Sequence, residues 1–271
     1  MNQDISICVL TENEMGWTEP FELDKVQILD NYYLSAQKSD IAFLKKMDTA
    51  RLLAGFRTTA GIDTKGVRPY GGWEDSLLGG HCVGHYLTAL AQAVKVTGDK
   101  ELKEKSQTLI AGLEECQKKL GTGFLFGAKV EDKEDVEKQF DILEGKKKGE
   151  TWVPWYNMHK VLAGLVDTYK YTGNETALLV AEKLGDWIYE RVSKWDLKTN
   201  QKVLETEYGG MNDCLYELYS YSHNKHHLEA AQKFDEKALF LMAAKGEKNC
   251  LDGKHANTQI PKFIGAIKRY N

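Results

Sequence analysis

Across 271 residues, 36 lysines and arginines are set against 40 aspartates and glutamates, giving a formal net charge of −4. The two signs are interspersed, so there is no basic stripe of the kind that nucleic acid or an anionic membrane surface would require. Hydrophobic residues at 42% and charged residues at 28% describe an ordinary globular chain, long enough to bury a sizeable core.

Residues 1–24 read as an irregular N-terminal segment with one apolar patch, Ile5 to Leu10. Met1-Asn2-Gln3-Asp4 opens no basic-then-apolar secretory signal, and no apolar run approaches the roughly 20 residues of a membrane span. The five cysteines (Cys8, Cys82, Cys116, Cys214, Cys250) contain no CxxC pair and fit unlinked thiols in a reducing compartment. A cytoplasmic protein is expected. Residues 25–271 read as one helical domain.

Its first stretch, Asp24 to Ala54, is helical in pattern, with Phe43, Leu44, Met47, Leu52 and Leu53 as the predicted buried face. A loop from Gly55 closes on Tyr70-Gly71-Gly72-Trp73, and Asp75-Ser76 can cap a helix reaching Thr97. Lys100 to Lys119 is its return partner. Residues 129–150 carry Asp132-Lys133-Glu134-Asp135 and Lys146-Lys147-Lys148 and read as a solvated surface excursion. Pro154 then opens a pair with arms Trp155–Tyr171 and Glu175–Val192, followed by Met211–Tyr221 with Lys225–Ala244. A last helix, Ile260 to Tyr270, carries Ile260, Phe263, Ile264 and Ile267 on one face, an edge through which the chain could self-associate. Only Phe124–Phe126 and Gln201–Leu204 resemble strands, and both are short.

The repetition matters more than any one element. The turns Thr97-Gly98-Asp99, Thr172-Gly173-Asn174 and Ser222-His223-Asn224 stand 75 and 50 residues apart, each between two amphipathic helices. About eight helices paired as antiparallel hairpins can form an open solenoid or a closed (α/α)6 toroid. The turns are plain, whereas the four loops that enter the first helices hold Gly-Gly-Trp, Trp-Val-Pro-Trp-Tyr-Asn, Glu-Tyr-Gly-Gly-Met-Asn and His-Ala-Asn-Thr-Gln. That asymmetry favours an all-α, incomplete toroid with a pocket at one mouth.

Several residues invite chemistry, and each has a plainer reading. His81 and His85, four apart on a helix, could chelate a metal, but without an interposed Glu or a third ligand they read as structural or pocket-lining. His159 is a pocket residue or a hydrogen-bonded core histidine. Glu207-Tyr208-Gly209-Gly210-Met211-Asn212 combines a carboxylate, an amide and glycines that let backbone approach a ligand closely; its alternative is a helix cap at Asn212 or Asp213. His255 and Asn257 meet a ligand, or Asn257 or Thr258 serves only to cap the last helix. His223, His226 and His227 read as surface residues. Glu74 with Asp75, and Glu205 with Glu207, are acidic pairs whose facing is invisible in sequence. The aromatic residues, six Trp and thirteen Tyr among them, fit a packed core better than a sugar-stacking surface.

Tyr70-Gly71-Gly72-Trp73-Glu74, Gly80-His81 through Gly84-His85-Tyr86-Leu87, Trp152-Val153-Pro154-Trp155-Tyr156-Asn157-Met158-His159-Lys160, Tyr208-Gly209-Gly210-Met211-Asn212 and His255-Ala256-Asn257-Thr258-Gln259-Ile260-Pro261-Lys262 resemble the β-L-arabinofuranosidase-type glycoside hydrolases of families 127 and 146. The likeness runs from about Phe21 onward. It implies an (α/α)6 barrel acting on arabinofuranosides, with a Zn2+-bound cysteine nucleophile and a glutamate acid/base. It places those groups beyond Asn271, since none of the five cysteines stands in a matching context, so no catalytic or metal-binding residue is expected here. The resemblance implies that His81, His159, Glu207, Asn212, His255 and Asn257 form the front wall of the sugar pocket. The expected function is the N-terminal part of such a catalytic domain, inactive alone; the alternative is a non-catalytic carbohydrate-binding or helical scaffold protein.

Overall fold

The computed structural model describes residues 20–130, 132–246 and 250–270. The patch Ile5–Leu10 and Cys8 lie outside the described residues. Twelve α-helices account for the regular structure there, with short 3-10 turns at Leu23–Lys25 and Gly72–Asp75 and no strand among the described residues.

The repeating turn is what its residues dictate. Helices α3 (His81–Thr97) and α4 (Lys100–Leu120) are joined through Gly98, at φ 66°, and Asp99, whose carboxylate accepts from Leu102 N. Helices α6 (Pro154–Thr172) and α7 (Glu175–Val192) use Gly173 at φ 66° and Asn174 in the same roles. Between α9 (Met211–Ser222) and α10 (Lys225–Lys233), His223 takes the left-handed position at φ 52° and Asn224 caps. A left-handed residue ends one helix and the next side chain satisfies the orphan N–H groups of its partner, so two residues reverse the chain.

The hairpins stack in two layers. Helix α3 packs on α6, α6 on α9, and α9 on α12 (Ala256–Tyr270); outside them α4 packs on α7 and α7 on α10. The inner row therefore points its N-termini one way, as in an α/α toroid. Glycines set the inner spacing: a Cβ at Gly84 would stand 1.8 Å from the Lys160 carbonyl oxygen, and one at Gly164 2.4 Å from that of Gly84. Between the layers lies an aromatic core, with Phe140, Trp155 and Trp187 meeting at centroid distances of 4.8–6.1 Å and Phe124, Phe126, Trp195 and Phe234 packed around them. Phe56, Tyr86, Tyr208 and Tyr216 are buried as well, whereas Trp73, Trp152, Tyr32 and Tyr33 are among the aromatic residues left exposed.

Several expectations are corrected. The first helix is two, α1 (Asn31–Lys46) and α2 (Thr49–Thr59), because Met47 is extended and Asp48 caps Ala50 and Arg51. Leu52 and Leu53 are buried, but Phe43 is exposed. The predicted arm 225–244 also breaks, into α10 and α11 (Lys237–Ala244). Gln201–Leu204 belongs to a helix, α8 (Leu197–Leu204), and Phe124–Phe126 is buried loop. The last helix begins at Ala256 rather than Ile260, and its Phe263 packs on Phe240 at 5.5 Å while Ile260, Ile264 and Ile267 face outward.

The charged excursion is the largest surprise. Its helix α5 (Lys138–Leu143) buries Phe140, and Arg191 of α7 reaches Glu137 at 2.9 Å, Glu144 at 2.6 Å and Asp141. The Glu144 carboxylate is fully enclosed. One buried arginine thus draws three acidic side chains of the segment onto the domain. His227 is likewise no surface residue: it is buried, with Nδ1 2.8 Å from Ser222 Oγ and Nε2 3.3 Å from Asp186.

Candidate functional site

The four loops entering the inner helices are stitched together side by side. Asn157, at the start of α6, donates its amide to Leu77 O of the first loop at 3.0 Å. Gly210 N of the third loop donates to His159 Nδ1 at 3.0 Å. Asn257 of α12 donates to Glu207 Oε1 at 3.1 Å, tying the fourth to the third. The loops therefore gather at one mouth.

The first loop has an unusual start to its helix. Neither Asp75 nor Ser76 caps α3, and its N-cap is Gly80 in the left-handed region at φ 92°, against the backbone of Gly127. The capping oxygens come from Glu74, which accepts from Gly80 N at 3.0 Å and Cys82 N at 3.3 Å. The same carboxylate lies 3.0 Å from His81 Nδ1, which also reaches Leu78 O at 2.7 Å. Burial would raise the Glu74 carboxyl, but these bonds outweigh it and hold it below the usual range. Burial alone would lower His81; its bonds to Cys82 and Glu74 win and push it up to about 10. His85 sits one turn on, its ring centroid 6.2 Å from that of His81.

In the second turn of α6, His159 is almost wholly buried, and burial, assisted by Lys160 and His85, pushes its pKa well down. It is a neutral imidazole. Because Nδ1 accepts from Gly210, Nε2 carries the proton and is the donor. The pair Gly209-Gly210 serves this contact: a Cβ at Gly209, where φ is 61°, would stand 2.4 Å from His159 Nδ1. The close approach expected toward a ligand is made toward an imidazole.

Of the six predicted site residues, His159, Glu207 and Asn257 join in one arc through two hydrogen bonds and the backbone of residues 207–210, with His255 exposed beside Thr258 at 3.3 Å. His81 is held at the first loop by Glu74. Asn212 is a correction. It is fully buried, its amide donating to Lys262 O at 3.1 Å and Asp235 Oδ1 at 3.3 Å, its oxygen accepting from Asp213 N. It ties α9 to α12 and offers nothing to a ligand. Lys160 was missed by sequence reasoning. Its ammonium lies 4.7 Å from the Tyr156 ring centroid, and burial lowers its pKa against the opposing pull of Cys214 and Glu207. Tyr156, His159 and Lys160 are spaced i, i+3, i+4 on α6, and that period was the available signal.

Glu74, His81 and Cys82 place three potential ligand atoms within 4.8 Å of one another. They do not fit a metal centre. Glu74 Oε1 accepts from Cys82 N and faces His81 Nδ1, Oε2 accepts from Gly80 N, and His81 Nδ1 is committed as a donor, so one carboxylate lone pair, one imidazole nitrogen and one thiol remain, fewer than the four ligands of a closed site. Nor do they fit the cysteine-rich zinc set implied by the resemblance. Cys116 and Cys214 are buried, which pushes the first up to about 12 and the second well above the usual thiol value.

The arc can bind hydroxyl groups: an imidazole N–H, a carboxylate, amides and an ammonium converge there. Facing acid and base carboxylates are not part of it: Glu74 is held by helix N–H groups at the first loop and Glu205 is exposed on the surface. A cavity of about 860 Å³ lies elsewhere, between α8 and the α10–α11 corner, lined by Trp195, Asn200 and Lys237 among others. Its lining also holds amides, carboxylates and lysines, Asn200, Gln201, Gln232, Glu236 and Lys233 among them, but no imidazole.

A family model described as the β-L-arabinofuranosidase, GH127 catalytic domain matches residues 25–271. The crystal structure of Ara127N-Se, a GH127 β-L-arabinofuranosidase from Geobacillus stearothermophilus T6, is similar at a TM-score of 0.53 and 16% identity. The match covers 78% of this chain and 32% of that one, so the chain spans about a third of the length of that relative. At such identity the likeness is one of fold. No curated protein matches the chain.

Proposed function

The chain belongs to the GH127 β-L-arabinofuranosidase catalytic-domain family, and from that membership we propose that it forms the substrate-orienting wall of an arabinofuranoside-binding site. The stitched arc of His159, Gly210, Glu207 and Asn257 at the inner-helix N-termini carries the reading. A furanoside presents several hydroxyl groups close together. A neutral Nε2–H donor, a carboxylate and amides held by one another satisfy them without a large ordering cost.

Bond cleavage needs more than orientation. The buried thiols Cys116 and Cys214 are poor nucleophiles, and facing acid and base carboxylates are not part of the arc, so in this reading the arc binds the sugar without turning it over. In this reading zinc and the reacting groups belong to other parts of the family's catalytic machinery. Four described cysteines are unpaired, which supports a reducing, cytoplasmic setting. No described helix is long and apolar enough to cross a membrane.

Calorimetric titration with methyl β-L-arabinofuranoside tests the reading. Binding should be measurable, and Glu207→Gln or Asn257→Ala should weaken it about tenfold, or ~1.4 kcal/mol. Hydrolysis of an aryl arabinofuranoside by the chain alone would show that the reacting groups are already present. Absence of any sugar binding would return the protein to the scaffold reading.

Self-association belongs to the same proposal. Ile260, Ile264 and Ile267 are 58%, 49% and 65% exposed at i, i+4, i+7 on α12. Such a stripe favours burial against a second apolar surface. Sedimentation should give a mass above that of one chain, falling to one chain in Ile264→Lys; a concentration-independent monomer would reject it.

A further inference from the structure

Outside the sugar-binding arc, one cluster brings together a nucleophile, a base and a group that orients the base. Cys82 Sγ lies 3.7 Å from His81 Nε2. The opposite ring nitrogen, Nδ1, is committed to Glu74 and Leu78 O. That commitment fixes the tautomer and leaves Nε2 free to take the thiol proton. His81 is only 8% exposed, and among the described residues the thiol is the one polar partner of its Nε2. Nucleophile, imidazole and carboxylate in this order are the parts of an activated cysteine.

Two further features act in the same sense. Cys82 is the second residue of α3, where the helix N-terminus favours a negative sulfur. It is also partly open, beside a cavity of about 250 Å³ walled by Met47, Leu52, Tyr70 and Trp73. Cys116 and Cys214 have neither access nor a base. We propose that Cys82 is an activated thiol, a modification site for low-molecular-weight disulfides and other small soft electrophiles, with His81 as its base and Glu74 as the positioning residue.

The exchange balances without an added oxidant. The Cys82 thiol gives its proton to His81 Nε2, and the sulfur attacks one sulfur of a small disulfide. The disulfide bond breaks as the new S–S bond forms, and the departing thiolate takes the proton from His81. One mixed disulfide and one free small thiol result. The inference does not depend on the sugar reading.

Native protein treated with limiting iodoacetamide and mapped by peptide mass spectrometry gives the test. Cys82 should react at least tenfold faster than in the urea-unfolded chain and faster than Cys250. Glu74→Gln and His81→Gln should abolish that advantage while Cys250 keeps its wild-type rate, which separates lost activation from lost folding. Oxidised glutathione should place one mixed disulfide on Cys82 and release one equivalent of reduced thiol. If Cys82 in the native wild-type protein reacts no faster than in the unfolded chain, the proposal is wrong, whatever the variants do. An unchanged rate in a folded His81→Gln variant would also reject it.

Discussion

Gly84→Ala should destabilise the protein by about 3 kcal/mol or more, the upper range for overpacking, because the added methyl meets backbone. Its carbon would stand 1.8 Å from Lys160 O, 2.1 Å from Lys160 C and 2.7 Å from Val161 N. A flexible side chain could turn away from such a contact; a helix must move. Separating α3 from α6 would also shift His81 and His85 relative to His159 and Lys160, so binding at the proposed sugar site should fall with stability. Gly98→Ala is the matched control. There φ is 66° with nothing within 4 Å of the added carbon, so only the left-handed conformation is penalised, at about 1–2 kcal/mol. Urea unfolding of both variants checks the order. Equal losses would mean the inner helices do not meet at Gly84.

Arg191→Met should have a comparable or larger effect, about 3–5 kcal/mol, since it leaves buried acidic groups without their counter-charge. The Arg191 side chain is 9% exposed, and Glu144 within its reach is fully enclosed. Lys146, half in solvent at 51% exposure, contacts the other Glu144 oxygen at 2.5 Å but cannot enter the space the guanidinium fills. Segment 132–150 should therefore detach, exposing Phe140 and loosening the Phe124–Trp187 contact at 4.7 Å. Hydrogen exchange should show lost protection there first. Adding Glu144→Leu to Arg191→Met should recover part of the loss, because the enclosed charge is then gone. A variant with unaltered stability and protection would refute the clamp.

These two sites also show where sequence reasoning reached its limit. The repeating turns were legible because their chemistry is local: glycine or histidine in the left-handed position, then Asp99, Asn174 or Asn224 as cap. From them followed the hairpins, the two layers and the shared end for the four entering loops. The start of α3 was misplaced because its cap, Glu74, folds back across several residues of loop to reach Gly80 and Cys82. The charged excursion was misread because Arg191, some 50 residues on, decides whether its acids are solvated or buried.

The site was half legible for a related reason. His159, Glu207 and Asn257 stand in motifs rich in hydrogen-bonding residues, and those motifs meet. Asn212 stands in one as well, yet Lys262 O and Asp235 claim its amide. Residue type says that a side chain will seek partners; it does not say whether those partners are a ligand or the next helix. Lys160, its pKa lowered by burial, was overlooked because a lysine beside a histidine reads as solvent-facing until Tyr156 is seen beneath it.

The proposed sugar site is tested most directly by nuclear magnetic resonance on the labelled protein titrated with methyl β-L-arabinofuranoside. Resonances of His159, Glu207, Gly209, Gly210 and Asn257 should move together along one saturating curve. Shifts confined to the groove near Trp195 and Lys237, with His159 and Glu207 unmoved, would contradict the assignment of the mouth as the binding site.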